Sequence, residues 1–183
     1  MIAEHGVTTE QLEAATGGRV MAGDQAAVDQ LNQAAHALIA QIGWCPWPER
    51  TETLTLDSPG TSVLSLPSTL VKDVATLAVD GREVPDNFYR WSESGLIEKV
   101  HGVWPRGYRR VTIEFTHGKN PEELPDLNGV ILAIAARRIA SPLGQTSVRA
   151  GSVSETYSGV GVLMADEQAI IGRYALGNGG RGV

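Results

Sequence analysis

Residues 114–127 read EFTHGKNPEELPDL, and the hydrophobic period changes inside this stretch. Just before it, Val111-Thr112-Ile113-Glu114-Phe115 alternates apolar and polar residues, the signature of a half-buried strand. Just after it, Leu127, Val130, Ile131, Ile134 and Ala135 recur at helical spacing. Between the two, Gly118 supplies backbone freedom for a corner, and Pro121 and Pro125 stiffen the approach. Pro125 suits a first helical turn, where Asp126 complements the positive helix end. His117 and its neighbouring carboxylates admit two readings, half of an acid/base site or a hydrogen-bonded corner. Glu122, Glu123 and Asp126 read better as a solvated helix start than as an acid/base pair, and the corner reading is preferred for His117.

Upstream of the corner the chain is a block of strands. Period-two runs are predicted over Thr53–Leu56, Ser62–Leu66 and Val74–Val79, with short strands over Phe88–Trp91 and Gly95–Glu98. Asp57-Ser58-Pro59-Gly60 is a turn, and Asp80-Gly81 is a hairpin turn because both positions tolerate positive φ. Pro85 confines the Glu83-Val84 strand to an edge. Arg106-Gly107-Tyr108-Arg109-Arg110 is the one basic cluster. With Trp104 and Tyr108 it is either a phosphate-contacting surface or, as preferred, a turn between two strands with a solvated basic edge.

Helices flank this block. Thr8 caps a short helix, with Gln11 reaching back to it, and Gly17-Gly18 stops it. A second helix starts near Asp24, with Val28, Leu31, Ala35, Leu38 and Ile42 on one stripe, and Gly43 ends it. Trp44-Cys45-Pro46-Trp47-Pro48 cannot continue a helix and reads as a rigid exit with two apolar anchors. Beyond the corner, the helix bearing Arg137 and Arg138 in its last turns ends at Ser141-Pro142. Residues 144–162 form a long loop or hairpin, and a final helix runs from about Ala165 to Leu176. Residues 177–183 form a flexible, glycine-rich tail. With its strands contiguous between helices and no βαβ alternation, the chain is α+β: a small helical bundle with an inserted antiparallel β block, a C-terminal helix and a tail.

Composition narrows the function. The 183 residues carry 42% hydrophobic and 20% charged side chains, as expected of a soluble globular protein. The formal charge is −6. Within residues 1–50 six acids face two bases, which argues against a general nucleic-acid coat. A single cysteine, Cys45, excludes an internal disulfide and a Cys-rich zinc module, and its tryptophan and proline neighbours suggest a buried, inert thiol. No basic region followed by an apolar run marks a secretory signal, and no apolar stretch is long enough to span a membrane, so the protein is expected to stay where it is made.

Chemical motifs are scarce. Phosphate-binding, dinucleotide-binding, nucleophile-elbow and HExxH patterns are missing from the sequence. His5, His36, His101 and His117 are scattered, with no helical pairing suited to a metal. Nothing beside Cys45 would activate its thiol. The expectation is no catalytic, cofactor-binding or metal-binding residue.

Several ordered segments nevertheless form a recognisable set. They are TTEQLEAATG (8–17), AVDQLNQAAHALIAQIGW (27–44), LTLDSPGTSVLSLPSTLVKDVATLAVDGREV (54–84), GLIEKVHGVWPRGYRRVTIEFTHG (95–118) and ELPDLNGVILAIAARRIASP (123–142). Taken in order they resemble the head-to-tail connector (adaptor) proteins of long-tailed, siphovirus-type phages of actinobacteria, over nearly the whole chain. The family often carries tyrosine where Phe115 stands, and its tail is less glycine-rich.

The resemblance implies one adaptor domain over residues 1–176, with a helical core at 8–43, 124–142 and 164–176 and the β insertion at 50–118. It implies structural work in the virion, at the head–tail junction, after assembly in the host cytoplasm. Such a protein forms a closed homo-oligomeric ring of about twelve copies. The ring joins the capsid portal protein to a stopper or tail-completion protein and lines the channel through which genomic DNA passes without specific binding. There is no catalysis, cofactor or membrane partner. By the same resemblance Ile170, Ile171, Arg173, Tyr174, Leu176 and Arg181 would contact the portal. Ser152, Ser154, Thr156 and Tyr157 would pair with a neighbouring subunit, since that segment has little apolar surface to bury. His117, Gly118 and Pro125 mark the strand–helix junction. The acidic N-terminal helices would contribute to a channel surface that repels the duplex. The alternatives are another neck or tail-completion protein, a carbohydrate-binding module using Trp91 and Trp104, and a small hydrolase built on His117 or His101.

Overall fold

Helix-forming and strand-forming residues segregate along the chain, and the architecture follows that segregation. The computed structural model describes residues 5–140, 147–150, 153–156 and 163–176. The elements are α1 (Thr9–Thr16), α2 (Gln25–Ile42), β1 (Arg50–Ser58), β2 (Val63–Ser65), β3 (Val71–Val79), β4 (Arg82–Glu83), β5 (Tyr89–Trp91), β6 (Leu96–Lys99), β7 (Gly107–His117), α3 (Pro125–Ala140), β8 (Ser147–Ala150), β9 (Val153–Thr156) and α4 (Ala165–Tyr174). The fold is α+β, with helices before and after the antiparallel block in chain order and a C-terminal helix. The chain divides into two compact units, one gathering residues up to Gln41 with Pro121–Arg173, the other Ile42–Asn120 with the chain from Tyr174 on.

In the first unit, α1 starts on a capping box. The Gln11 N–H donates to Thr8 Oγ1 at 3.3 Å, and the Thr8 N–H donates to Gln11 Oε1 at 3.0 Å. This satisfies two donors that the first helical turn would leave open. Gly17, at φ 62°, closes the helix in the left-handed conformation. In α2 the buried positions are Ala27, Leu31, Ala34, Ala35, Leu38 and Ile42, while Val28 is only half-buried. The packed face therefore turns slightly away from the sequence-predicted stripe and centres on alanines. Leu127, Val130, Ile131, Ile134 and Ala135 are the buried positions of α3, as its spacing indicates. Each large aliphatic side chain buried in this way contributes about 1.5–3 kcal/mol. β8 and β9 pair as a two-stranded hairpin, Ser147 opposite Thr156.

The second unit is built of two sheets. The larger has the order β1-β7-β3-β4 and the smaller β2-β6-β5, all antiparallel. Every second residue of β7 from Val111 to His117 is buried. Val111, Ile113 and Phe115 of β7 join Val74 and Leu77 of β3, Leu64, Tyr89 and Ile97 of the smaller sheet, and Trp104 in one apolar cluster between the sheets. Asp80 (φ 52°) and Gly81 (φ 76°) make the predicted tight turn between β3 and β4.

The strand boundaries differ most from the sequence reading where β1 meets the start of β7. β1 runs through Asp57 to Ser58, where a turn is expected from sequence, because β7 extends far enough to pair with it. Gly107–Arg110, read as part of a turn, lies inside β7, where the register shifts between Leu56 and Ser58 and Arg109 takes a left-handed φ of 53°. Asp57 Oδ1 accepts the Arg109 N–H at 2.8 Å and supports that conformation.

Candidate functional site

The strand-to-helix corner is built from the last residues of β7 and the rigid exit after α2. His117 is paired across β1 to Arg50 and across β3 to Val71, so its ring is held in the sheet and is 1% exposed. Trp44 stacks on it at 5.8 Å between ring centroids, and Phe115 tilts against it at 4.6 Å. Nε2 lies 2.8 Å from Glu52 Oε1, off the line of a ring N–H, and Nδ1 has no hydrogen-bond partner. Burial lowers the His117 pKa below the usual imidazole value, the nearby Arg50 charge adds to that, and Glu52 opposes it. His117 is thus held neutral at neutral pH.

Gly118 (φ 83°) turns the chain out of the sheet. A Cβ here would sit 2.8 Å from the Pro48 carbonyl oxygen and 3.1 Å from that of Pro46. The exit segment after α2 therefore fills the space that any side chain at this position would need. The Gly118 N–H donates to the Leu70 carbonyl and the Lys119 N–H to the Pro46 carbonyl. Pro121–Glu123 then form a single 3-10 turn, and Pro125 occupies the first position of α3.

The His–carboxylate pair that a hydrolase would need is present in His117 and Glu52, but the ring lies beneath Trp44 and Phe115, out of reach of a substrate. A surface cleft of about 500 Å³, lined by Val79, Asp80, Arg82, Glu83 and Val84, lies at the other end of β3. Trp104 is fully buried and donates from Nε1 to the Ile97 carbonyl, while Trp91 is 36% exposed. A carbohydrate platform of two exposed tryptophan rings is therefore not formed. Cys45 is half-buried, with Sγ 2.9 Å from the Trp47 carbonyl oxygen. Among the described residues no cluster of three metal-ligating side chains occurs, and no helix is long and apolar enough to cross a membrane.

The residues assigned to a portal contact occupy or follow α4. Ile171 is buried, Ile170 half-buried, and Arg173 is exposed, pairing with Asp126 at 2.9 Å. The Tyr174 carbonyl accepts from Trp44 Nε1 at 2.8 Å and from Thr69 Oγ1 at 3.0 Å, and the Leu176 N–H donates to the Ile42 carbonyl. Arg181 lies outside the described residues. Of the residues assigned to subunit pairing, Ser154 and Thr156 are in β9, opposite Arg149 and Ser147. Ser152 and Tyr157 lie outside the described residues.

Sequence reasoning missed the partner of Arg137, which it read as a cation favoured by the helix end. Arg137 instead grips Glu167 with both guanidinium arms. It missed Thr69 and Trp44 as donors to Tyr174 as well, since neither spacing nor composition signals contacts across more than a hundred residues.

A scan of protein-family models and a search of curated proteins gave no match. Solved structures do share the fold. A chain in the neck of an empty gene transfer agent (GTA) particle, computed with C6 symmetry, aligns with a TM-score of 0.59 and 22% identity, over 91% of this chain and 86% of that one. A chain in the virion of the native GTA particle aligns with a TM-score of 0.58 and 20% identity, over 92% and 89%. A third, in the neck of the native particle computed with C12 symmetry, aligns with a TM-score of 0.55 and 20% identity, over 96% and 95%. The α+β arrangement described above is therefore one that occurs in chains of these particles.

Proposed function

We propose that this chain is a structural virion protein of the neck, an adaptor whose copies form a ring between the capsid portal and the tail or stopper and line the DNA exit channel. The observation that carries the reading is the end-to-end match of its fold to chains in GTA necks and virions, covering at least 91% of this chain. The ordered sequence segments that resemble the phage adaptors support the same reading independently. A ring of about twelve copies agrees with the C12 symmetry of one of those necks.

In this reading residues 1–176 act as one adaptor domain and 177–183 as its tail. Ile170, Ile171, Arg173, Tyr174, Leu176 and Arg181 form the portal contact. The segment holding Ser152, Ser154, Thr156 and Tyr157 pairs with the next subunit, a role suited to a hairpin, since two strands alone are marginally stable. His117, Gly118 and Pro125 shape the strand–helix corner and do no chemistry. Exposed acids of the N-terminal helices, Glu10 and Asp29, face the channel and let DNA slide. The protein assembles in the host cytoplasm and resides at the head–tail junction without a cofactor.

Electron microscopy of intact particles tests the proposal. A ring of this chain directly below the portal is the expected result. Purified virions that lack the chain would overturn it.

A further inference from the structure

The two most exposed large apolar side chains of the described chain stand in surroundings of opposite charge. Tyr108 is 88% exposed. It sits at the start of β7 between Arg106 and Arg109, whose guanidinium groups are exposed and make no ion pair among the described residues. The anions at this end are already engaged. Asp80 pairs with Arg110, and Asp57 accepts the Arg109 N–H. Arg109 itself takes a left-handed φ of 53°, held by that bond to Asp57.

Met21, 63% exposed, is the other residue. It lies on the turn between α1 and α2, bracketed by two carboxylates. Asp24 Oδ2 accepts the Met21 N–H at 3.4 Å, and Glu13 Oε2 accepts the Ala22 N–H at 2.9 Å. Neither carboxylate has a cationic partner among the described residues. Arg19, the base on this turn, pairs with neither.

A closed ring needs two different, mutually complementary surfaces on each copy, since a head-to-tail contact joins one patch to another. We infer that the Tyr108 tip of one copy docks on the Met21 turn of the next. This inference rests on the ring proposed above. Tyr108 packs against the Met21 thioether, a favourable sulfur–aromatic contact. Arg106 and Arg109 meet Glu13 and Asp24, which orients the contact and rejects like-charged pairings. Tyrosine and arginine at an exposed tip are also the residue types that dominate interface energies. Glu13 and Asp24 of the turn between α1 and α2 and the basic cluster of the β block then serve as the two halves of one repeating contact.

The test uses particles assembled from variant chains. A Met21→Cys, Tyr108→Cys double variant is oxidised in the particle. A ladder of covalently linked copies, absent from either single variant, is the expected result, whereas a ring by microscopy without that ladder overturns the inference and leaves the ring reading standing. A particle without the ring overturns both. A second arm reverses the charges. Arg106→Glu with Arg109→Glu, or Glu13→Arg with Asp24→Arg, should each lower ring occupancy by roughly tenfold, equivalent to about 1.4 kcal/mol. Combining both pairs should restore it, and a combined variant no better than either parent overturns the charge pairing.

Discussion

Arg137 and Glu167 join α3 to α4 by two parallel hydrogen bonds, Nη1 to Oε1 at 2.7 Å and Nη2 to Oε2 at 2.8 Å. Glu167 also accepts the Met164 N–H at 2.9 Å, so one nearly buried carboxylate closes the start of α4 and fixes it to α3. Removing the arginine leaves that carboxylate buried without its cation. Arg137→Ala should therefore cost roughly 3–5 kcal/mol in chemical denaturation. Glu167→Gln keeps an acceptor and should cost less. Equal losses in the two variants would show that the ion pair is not what holds α4.

The second prediction concerns acid. His117 has a lowered pKa in the folded state and an ordinary one, near 6.5, in the unfolded chain. The unfolded state therefore binds the proton first. Stability is full above about pH 6.5 and falls as pH drops from there towards the lowered folded value. His5, half-buried and also lowered chiefly by burial, acts in the same direction. Melting temperatures measured between pH 7.5 and pH 5 should fall for the unaltered protein. The fall should be shallower for His117→Gln, and His5→Gln should isolate the share of His5. An unchanged slope in His117→Gln would show that this ring does not titrate with unfolding.

Gly118 is predicted to be irreplaceable for two separable reasons. A side chain at φ 83° costs about 1–2 kcal/mol by itself. Its Cβ would also meet the Pro48 carbonyl oxygen at 2.8 Å. Gly102, at φ 78° with nothing within 4 Å of an added Cβ, carries the first cost alone. Gly118→Ala should therefore lower stability by clearly more than Gly102→Ala. Equal losses would mean that the exit segment at Pro46–Pro48 yields without resistance.

A fourth prediction tests the proposed portal contact. Ile170 is half-buried in the free chain, so Ile170→Asp should leave the circular dichroism spectrum and most of the stability unchanged. Incorporation into particles should drop by at least about tenfold, the effect of losing about 1.4 kcal/mol of binding. Normal incorporation would remove Ile170 from the contact.

Local sequence determined much of this molecule. The period change across residues 111–135 places the last strand and the helix that begins at Pro125. Thr8 with Gln11 starts α1, and Asp80-Gly81 turns β3 into β4. These features rest on neighbours a few residues apart, where backbone preference and short-range hydrogen bonds decide the outcome. The strand order β1-β7-β3-β4, the extension of β1 through Asp57, and the outward tip at Tyr108 depend on residues some fifty positions away, and no local pattern announces them. The same holds for Arg137 with Glu167 and for the burial of His117 under Trp44. From sequence His117 is an ambiguous polar residue beside carboxylates. Only the tertiary structure encloses its ring between aromatics and holds it neutral, because burial is a property of the assembled sheet and not of the chain around residue 117.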